Sequence, residues 1–211
     1  MGFKEDAFKE TAKGIIPKLE KRGMEGFYCS TAKEAVALSL SMMPKGSAIG
    51  WGGSETIKEC GLMEAISDGS YALIDRSLAH NPREQREIYA KIVMSDYFLM
   101  STNAITLDGE LVNIDGLGNR TSALIYGPAN VIVIAGMNKI AGNIEAAYDR
   151  VKTYACPPNA KRLGRNLPCG VNGRCADCYA DECFCNHIVV TRRSAIKGRI
   201  KVILVGENLG Y

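Results

Sequence analysis

The chain of 211 residues carries 26 basic and 23 acidic side chains, a net charge of +3, and is 46% hydrophobic and 23% charged. That length suits one domain around one buried core, and the composition lies far from the apolar-poor, charge-rich range that stays disordered. So small a charge excess excludes a strongly polyanion-seeking surface. The densest basic stretches, Lys161 to Arg165 and Arg192 to Arg199, have few aromatic neighbours for base stacking, so no nucleic-acid partner is expected.

The opening stretch Met1 to Glu10 has acids where a signal peptide has none, and no apolar h-region. The longest apolar run, around Val131 to Gly136, falls far short of the ~20 residues of a membrane helix. A cytoplasmic location and no membrane partner are expected. In that reducing compartment the eight cysteines are not expected to form four disulfides.

In chain order, Phe8, Ala12, Ile15, Ile16 and Leu19 repeat at helical spacing over Lys4 to Arg22, with Pro17 as a candidate kink. Met24 to Cys29 reads as extended, and Ser30 or Thr31 caps a helix that ends at Pro44. Ser47 to Gly50 is a short apolar run, Gly52-Gly53 a turn, and Ser54 with Glu55 opens a helix carrying Ile57, Cys60 and Ala65. After a strand at Tyr71 to Ile74, Asn81 caps a helix with Pro82 at its first position, and Phe98 to Met100 is extended again. Strands alternating with helices predict a mainly parallel sheet flanked by helices, an α/β fold.

The rhythm breaks at Ile105 to Ile114, where Asp108-Gly109 between two apolar runs predicts a β-hairpin insertion. Leu117 to Tyr126 then reads as helix, Val131 to Ala135 as a buried strand, and Asn143 as the cap of a helix reaching Tyr154. From residue 155 to 187 the chain turns to Pro, Gly, Asn and Cys without periodicity, a loop long enough to need its own cross-link. Ile188 to Thr191 and Lys201 to Val205 predict two closing strands. The whole, 1–211, reads as one domain.

Six of the eight cysteines, Cys156, Cys169, Cys175, Cys178, Cys183 and Cys185, fall in that loop. The Cys175-x2-Cys178 pair lets two thiolates converge from a tight turn, for which Gly170, Asn172 and Gly173 supply freedom. Two further thiolates complete a site that zinc or an iron-sulfur cluster accepts equally. A redox dithiol or disulfide set and inert buried thiols are the competing readings. Cys29 and Cys60 lie inside predicted elements and read as core. His187 precedes a strand, and His80 sits at a helix entrance with no identified partner.

Two polar loops follow predicted strands. Gly52, Gly53 and Ser54 stand where backbone amides meet a phosphate or carboxylate, although neither a P-loop nor a full dinucleotide fingerprint is present. Asn103, Asn113, Gly116, Gly118, Asn119 and Arg120 form the second group, with Asp115 and Glu110 as candidate general bases. Ligands of open α/β sheets bind beyond the strands' carboxyl ends, so both loops are expected to face one crevice for a small anionic metabolite. Against this stands the plain reading of capped helices and solvated turns.

The run Ser101 to Arg120, STNAITLDGELVNIDGLGNR, continued by VIVIAGMNK over Val131 to Lys139, closely resembles the LUD domain family, whose members include lactate-utilisation proteins of the B and C type. The likeness is greatest to short stand-alone members with a terminal Cys-x5-Cys-x2-Cys-x6-Cys pattern, met here by Cys169, Cys175, Cys178 and Cys185, with Cys183 an added thiol. The resemblance implies those four cysteines as metal ligands. It also implies a fold similar to the sugar-phosphate isomerase and CoA-transferase group, phosphorylated, acyl-CoA or hydroxy-acid ligands, and a link to lactate or organic-acid metabolism. A homo-oligomer is compatible with it. The alternative function is a redox accessory built around an iron-sulfur or dithiol centre.

Overall fold

Two hydrophobic layers face each other across a parallel sheet in the computed structural model, which describes residues 2–211. The sheet holds β1 (Glu25–Cys29), β2 (Ala48–Trp51), β3 (Ala72–Ile74), β4 (Tyr97–Met100), β7 (Asn130–Gly136) and β10 (Ile200–Val205), in the order β1-β10-β7-β4-β2-β3. Every neighbouring pair runs parallel. Such strands need cover on both faces, and their side chains alternate accordingly. Val131, Val133 and Ala135 of β7 join Val202 and Leu204 of β10 in one core, while Ile132, Ile134, Ile203 and Val205 join the other. Each buried Val, Leu and Ile among them contributes roughly 1.5–3 kcal/mol.

The first core is closed by α1 (Phe3–Lys21), through Ala12, Ile15 and Leu19, by α5 (Pro82–Val93), through Ile92, and by α6 (Asn119–Ile125), through Ala123 and Leu124. The second is closed by α2 (Ala32–Met42), α3 (Glu55–Glu59) and α4 (Leu62–Ala65), through Ala35, Ile57 and Leu62. Local chemistry starts these helices. Thr31, Ser54 and Asn81 side-chain oxygens accept from the amides of Glu34, Ile57 and Glu84, and Pro82 fills the first turn of α5. The helix expected from Ser54 through Ala65 is in fact broken into two, because Gly61 adopts a left-handed φ of 83°.

A second sheet, ordered β8-β5-β6-β9, comprises β5 (Ala104–Thr106), β6 (Leu111–Asp115), β8 (Ile140–Ala141) and β9 (His187–Thr191). β5 and β6 form the expected hairpin, with Gly109 at φ 84° in its turn. The hairpin turns Ile105 and Leu111 toward the first core. Its opposite face, Ala104, Val112 and Ile114, packs against α7 (Ile144–Arg150) and α8 (Cys156–Arg162). Asn143 caps α7, which passes through a π turn at Val151–Ala155 directly into α8.

Both closing strands form, in different sheets: β9 pairs with β6 as the chain leaves the cysteine segment, and β10 sits inside the parallel sheet. One sequence expectation needs correction: the cysteine segment is not all loop, since α8 and α9 (Pro168–Asn172) occupy it and bury Cys156, Ala160 and Cys169. Among the described residues no helix is long and apolar enough to cross a membrane.

Candidate functional site

The carboxyl ends of β2, β4, β6 and β7 open onto a crevice of about 300 Å3. Gly53 to Thr56 follow β2, Ser101 to Asn103 follow β4, Asp115 to Arg120 leave β6, and Lys139 lies just past β7. The far wall comes from the π turn and α8, which present Cys156, Asn159 and Arg162, and Tyr211 closes one side. Five basic side chains, Arg76, Arg120, Lys139, Arg162 and Arg165, border this space against two acidic ones, Glu55 and Asp115.

The two loops expected to share a site do meet. Gly53, Ser54, Asn103, Asp115, Gly116, Asn119 and Arg120 border the crevice, whereas Gly52, Asn113 and Gly118 stand behind it. Arg120 holds the group together. Its Nη1 donates to Asn113 Oδ1 at 2.7 Å and to the Ser101 carbonyl at 3.2 Å. Its Nη2 donates to Asn103 Oδ1 at 2.9 Å and to the Ile114 carbonyl at 2.8 Å. Asp115 completes the cage at 3.5 Å from Nε and, by its charge, opposes the loss of charge that burial favours. Arg120 is thus a tie between loops, with its donors already committed to the protein.

Asp115 is similarly occupied. Its Oδ1 accepts from the Gly118 amide and its Oδ2 from the Thr121 amide, both at 3.2 Å, so it fastens the start of α6. Glu110 lies away from the crevice, in the hairpin turn, where Oε1 meets Arg22 Nη2 at 2.5 Å and Oε2 accepts from the Thr106 hydroxyl. These placements give the two carboxylates structural partners that a sequence cannot display. The glycines also have a different immediate use. A Cβ on Gly53 would come within 2.5 Å of Arg76 Nη2, and one on Gly52 within 3.3 Å of Arg120 Cδ, so both make room for guanidinium side chains.

Sequence reasoning missed the other basic side chains of the crevice. Arg76 meets only the Tyr89 hydroxyl, at 3.3 Å, and no carboxylate lies within ion-pair distance of it or of Lys139 among the described residues. Arg162 is shared between the Tyr211 hydroxyl at 2.7 Å, Asn159 Oδ1 at 2.6 Å and the Glu55 carboxylate at 3.7 Å. Lys139 had one legible signal, a single cation directly after the most apolar strand. Arg76 and Arg162 had none, because each reaches the crevice from an element whose position depends on tertiary packing.

Beyond the crevice wall lies a second cavity of about 470 Å3, bordered by Cys169, Cys175, Cys178, Cys183 and Cys185. Cys156 Sγ is 3.4 Å from Cys185 Sγ, so the sixth thiol touches this group from the crevice side. All eight cysteines are free thiols, with Cys29 and Cys60 buried in the second core. The Cys156 contact foremost, and burial next, push the Cys185 thiol far up; burial raises Cys169 and Cys183. The four expected ligands share one cavity. Among the described residues, however, no three Cys, His, Asp or Glu side chains converge as ligands of one ion. His187 packs beside Gly118 and pairs in register with Asp115, while His80 is exposed at the start of α5.

Fold and crevice together define an α/β protein whose parallel sheet presents a basic pocket at the carboxyl ends of its strands. The LUD domain family model matches residues 12–205, and the chain belongs to that family. A DUF162 family protein from Deinococcus radiodurans, solved as a crystal structure at 1.70 Å, has a similar fold, with a TM-score of 0.53 and 15% identity over 94% of this chain and 98% of that one. The eIF2B delta protein from Chaetomium thermophilum is a weaker likeness, with a TM-score of 0.35 and 15% identity over 68% of this chain and 55% of that one. No curated protein matches the chain by sequence.

Proposed function

We propose that the chain binds a small anionic metabolite, of the phosphorylated, acyl-CoA or hydroxy-acid type, in the crevice between the two loops. The observation that carries this reading is the excess of basic over acidic side chains around about 300 Å3, with Arg76 and Arg165 lacking any carboxylate partner among the described residues. Partly desolvated guanidinium groups favour planar oxyanions, and the cavity's size suits a small ligand. Phosphorylated and acyl ligands, and a place in lactate or organic-acid metabolism, are what kinship with lactate-utilisation proteins adds.

The test is a thermal-shift series with a sugar phosphate, a CoA ester and lactate. A ligand at one hundred times its Kd stabilises the fold by about 2.7 kcal/mol, and Arg76→Ala, by weakening binding about tenfold, is expected to halve that gain while the unliganded melting temperature holds. If none of the three shifts the wild type, or if Arg76→Ala responds as fully as the wild type, the reading fails.

The thiol cavity supports a second reading, a cysteine-held metal centre. Five thiols around one cavity, none in a disulfide, form a soft donor set that suits zinc or iron-sulfur chemistry. Cys169, Cys175, Cys178 and Cys185 would hold it, with Cys156 and Cys183 adjacent. The donor set fits either group: zinc would order the segment, and an iron-sulfur cluster when bound would supply one-electron chemistry. Anaerobic purification with elemental analysis tests it: iron and sulfide in comparable amounts support the cluster, zinc alone supports a mononuclear site, and neither metal removes both.

A further inference from the structure

We propose that Lys139 is an imine-forming amine and that the crevice takes a small 2-oxo acid or a similar anionic carbonyl compound, whose carbonyl carbon Nζ attacks. The proposal rests on the anion-binding reading of the crevice and deepens it by assigning the ligand class and the reacting atom.

Lys139 is 3% exposed, yet it borders the crevice. Its Nζ donates to Thr56 Oγ1 at 2.7 Å and to Ser101 Oγ at 3.1 Å. Each hydroxyl directs its own proton elsewhere, Thr56 to the Leu209 carbonyl and Ser101 to the Thr102 carbonyl, both at 3.3 Å, so each offers the amine a lone pair. These two contacts use both hydrogens of a neutral amine and leave its own lone pair unclaimed. An ammonium would bring a third hydrogen, and among the described residues Nζ makes no third hydrogen bond.

The surroundings favour the same state. Burial most of all, then Arg150 of α7 and Arg120 of α6, disfavour the ammonium, with Glu59 of α3 opposing, and together they bring Lys139 down to about 7. Filling space requires no amine here, since methionine has similar bulk without a charge to bury. A desolvated lysine beside other cations is the arrangement that turns an amine into a nucleophile near neutral pH. Arg76, Arg162 and Arg165 on the same crevice supply positive charge for the ligand's carboxylate.

The step balances without a further reactant. The Nζ lone pair adds to the carbonyl carbon, the nitrogen gives up its two protons, the former carbonyl oxygen takes up two and leaves as water, and a carbon–nitrogen double bond to Lys139 remains. Borohydride then adds hydride to that carbon and fixes the adduct as a secondary amine.

The full-length protein is incubated with pyruvate, glyoxylate or oxaloacetate, reduced with borohydride, and mapped by peptide mass spectrometry. The expected result, with at least one probe, is one adduct per chain on Lys139, at least about tenfold more abundant at pH 8 than at pH 5. Inorganic phosphate should compete with it, and Lys139→Met should lack it. Adducts scattered over exposed lysines, with Lys139 unmodified by all three probes, would overturn the proposal. If Lys139→Met does not fold, mapping and phosphate competition on the wild type decide alone. A probe that raises the melting temperature without marking Lys139 sinks the imine and leaves anion binding standing; loss of both the shift and the adduct, with the phosphate, CoA and lactate series also silent, sinks both.

Discussion

The loops that Arg120 and Asp115 join at the crevice are tied to the sheet by buried polar bonds, whereas the thiol-cavity segment is held by a few exposed contacts, among them Lys152 to Asp177 at 3.0 Å and Asn186 to the Gly116 carbonyl at 3.1 Å. Arg120 links the loop after β4 to β6 through Ser101, Asn103, Asn113 and Ile114, beside direct bonds from Ile114 to Asn103 and from Thr102 to Val112, and Asp115 locks the turn that follows. Between Arg174 and Asn186, by contrast, the only backbone-to-backbone hydrogen bonds outside helices and strands run from Cys183 to Ala180 and from Asn186 to Asp115. Asp177 stands at φ 53°, and the Tyr179 side chain is fully exposed. The two cavities share a wall at Ile114 and Phe184. One is organised in advance by buried polar bonds; the other gathers its thiols with few covalent or hydrogen-bonded restraints, an arrangement that the proposed metal centre would order on binding.

Arg120→Ala is the strongest way to break the first half of that contrast. It leaves the buried oxygens of Asn103 and Asn113, two carbonyls and the Asp115 carboxylate without their cation, and should cost roughly 3–5 kcal/mol. Urea unfolding measures it. A loss under about 1 kcal/mol would mean that the loops hold their places without this tie. Removing metal should act on the other half. Chelator treatment of anaerobically purified protein is expected to speed proteolysis within residues 174–186 by about tenfold or more, with crevice amides equally protected from hydrogen exchange before and after. Uniform loss of protection across both cavities would show them to be one cooperative unit.

How far the sequence revealed these regions follows from where each signal resides. Helix starts were legible because Thr31, Ser54, Asn81 and Asn143 satisfy amides within the next three residues. The parallel sheet was legible from strand-helix alternation, and the Asp108-Gly109 hairpin from its turn chemistry. What escaped was partner choice over long separations. That Arg120 would bind five groups inside the protein, that Glu110 would pair with Arg22 from α1, and that β9 would join β6 all depend on contacts that local pattern does not encode. Cysteine spacing announced a cluster but could not show that Cys156 touches Cys185 through the crevice wall.

A smaller effect sharpens the picture of the crevice amine. Lys139 is held at about 7 in the folded protein against an ordinary 10.5 in an unfolded chain. Between those values the unfolded state binds more protons, so this group makes stability rise with pH across that interval. Lys139→Met should therefore be relatively most stable at pH 6, with the wild type gaining on it by up to about 4 kcal/mol toward pH 10. Parallel stability curves for the two proteins, followed by chemical denaturation, would place the folded amine in its ordinary range.

The mildest perturbation separates ligand contact from scaffold. A methyl group on Gly53 would meet Arg76 Nη2, the far end of a flexible side chain, and the Gly53 backbone does not have the positive φ that penalises alanine. Gly53→Ala should leave stability within about 0.5 kcal/mol while swinging the Arg76 guanidinium away from the crevice. Affinity for an anionic ligand then falls about tenfold, the loss of one partly exposed charge-assisted contact. Because Arg76 has no carboxylate to hold it, the displacement gives up only its 3.3 Å contact with the Tyr89 hydroxyl. Calorimetric titration beside a melting curve distinguishes the outcomes: weakened binding at constant stability assigns Arg76 to the ligand, and a lowered melting temperature at constant affinity assigns it to the scaffold.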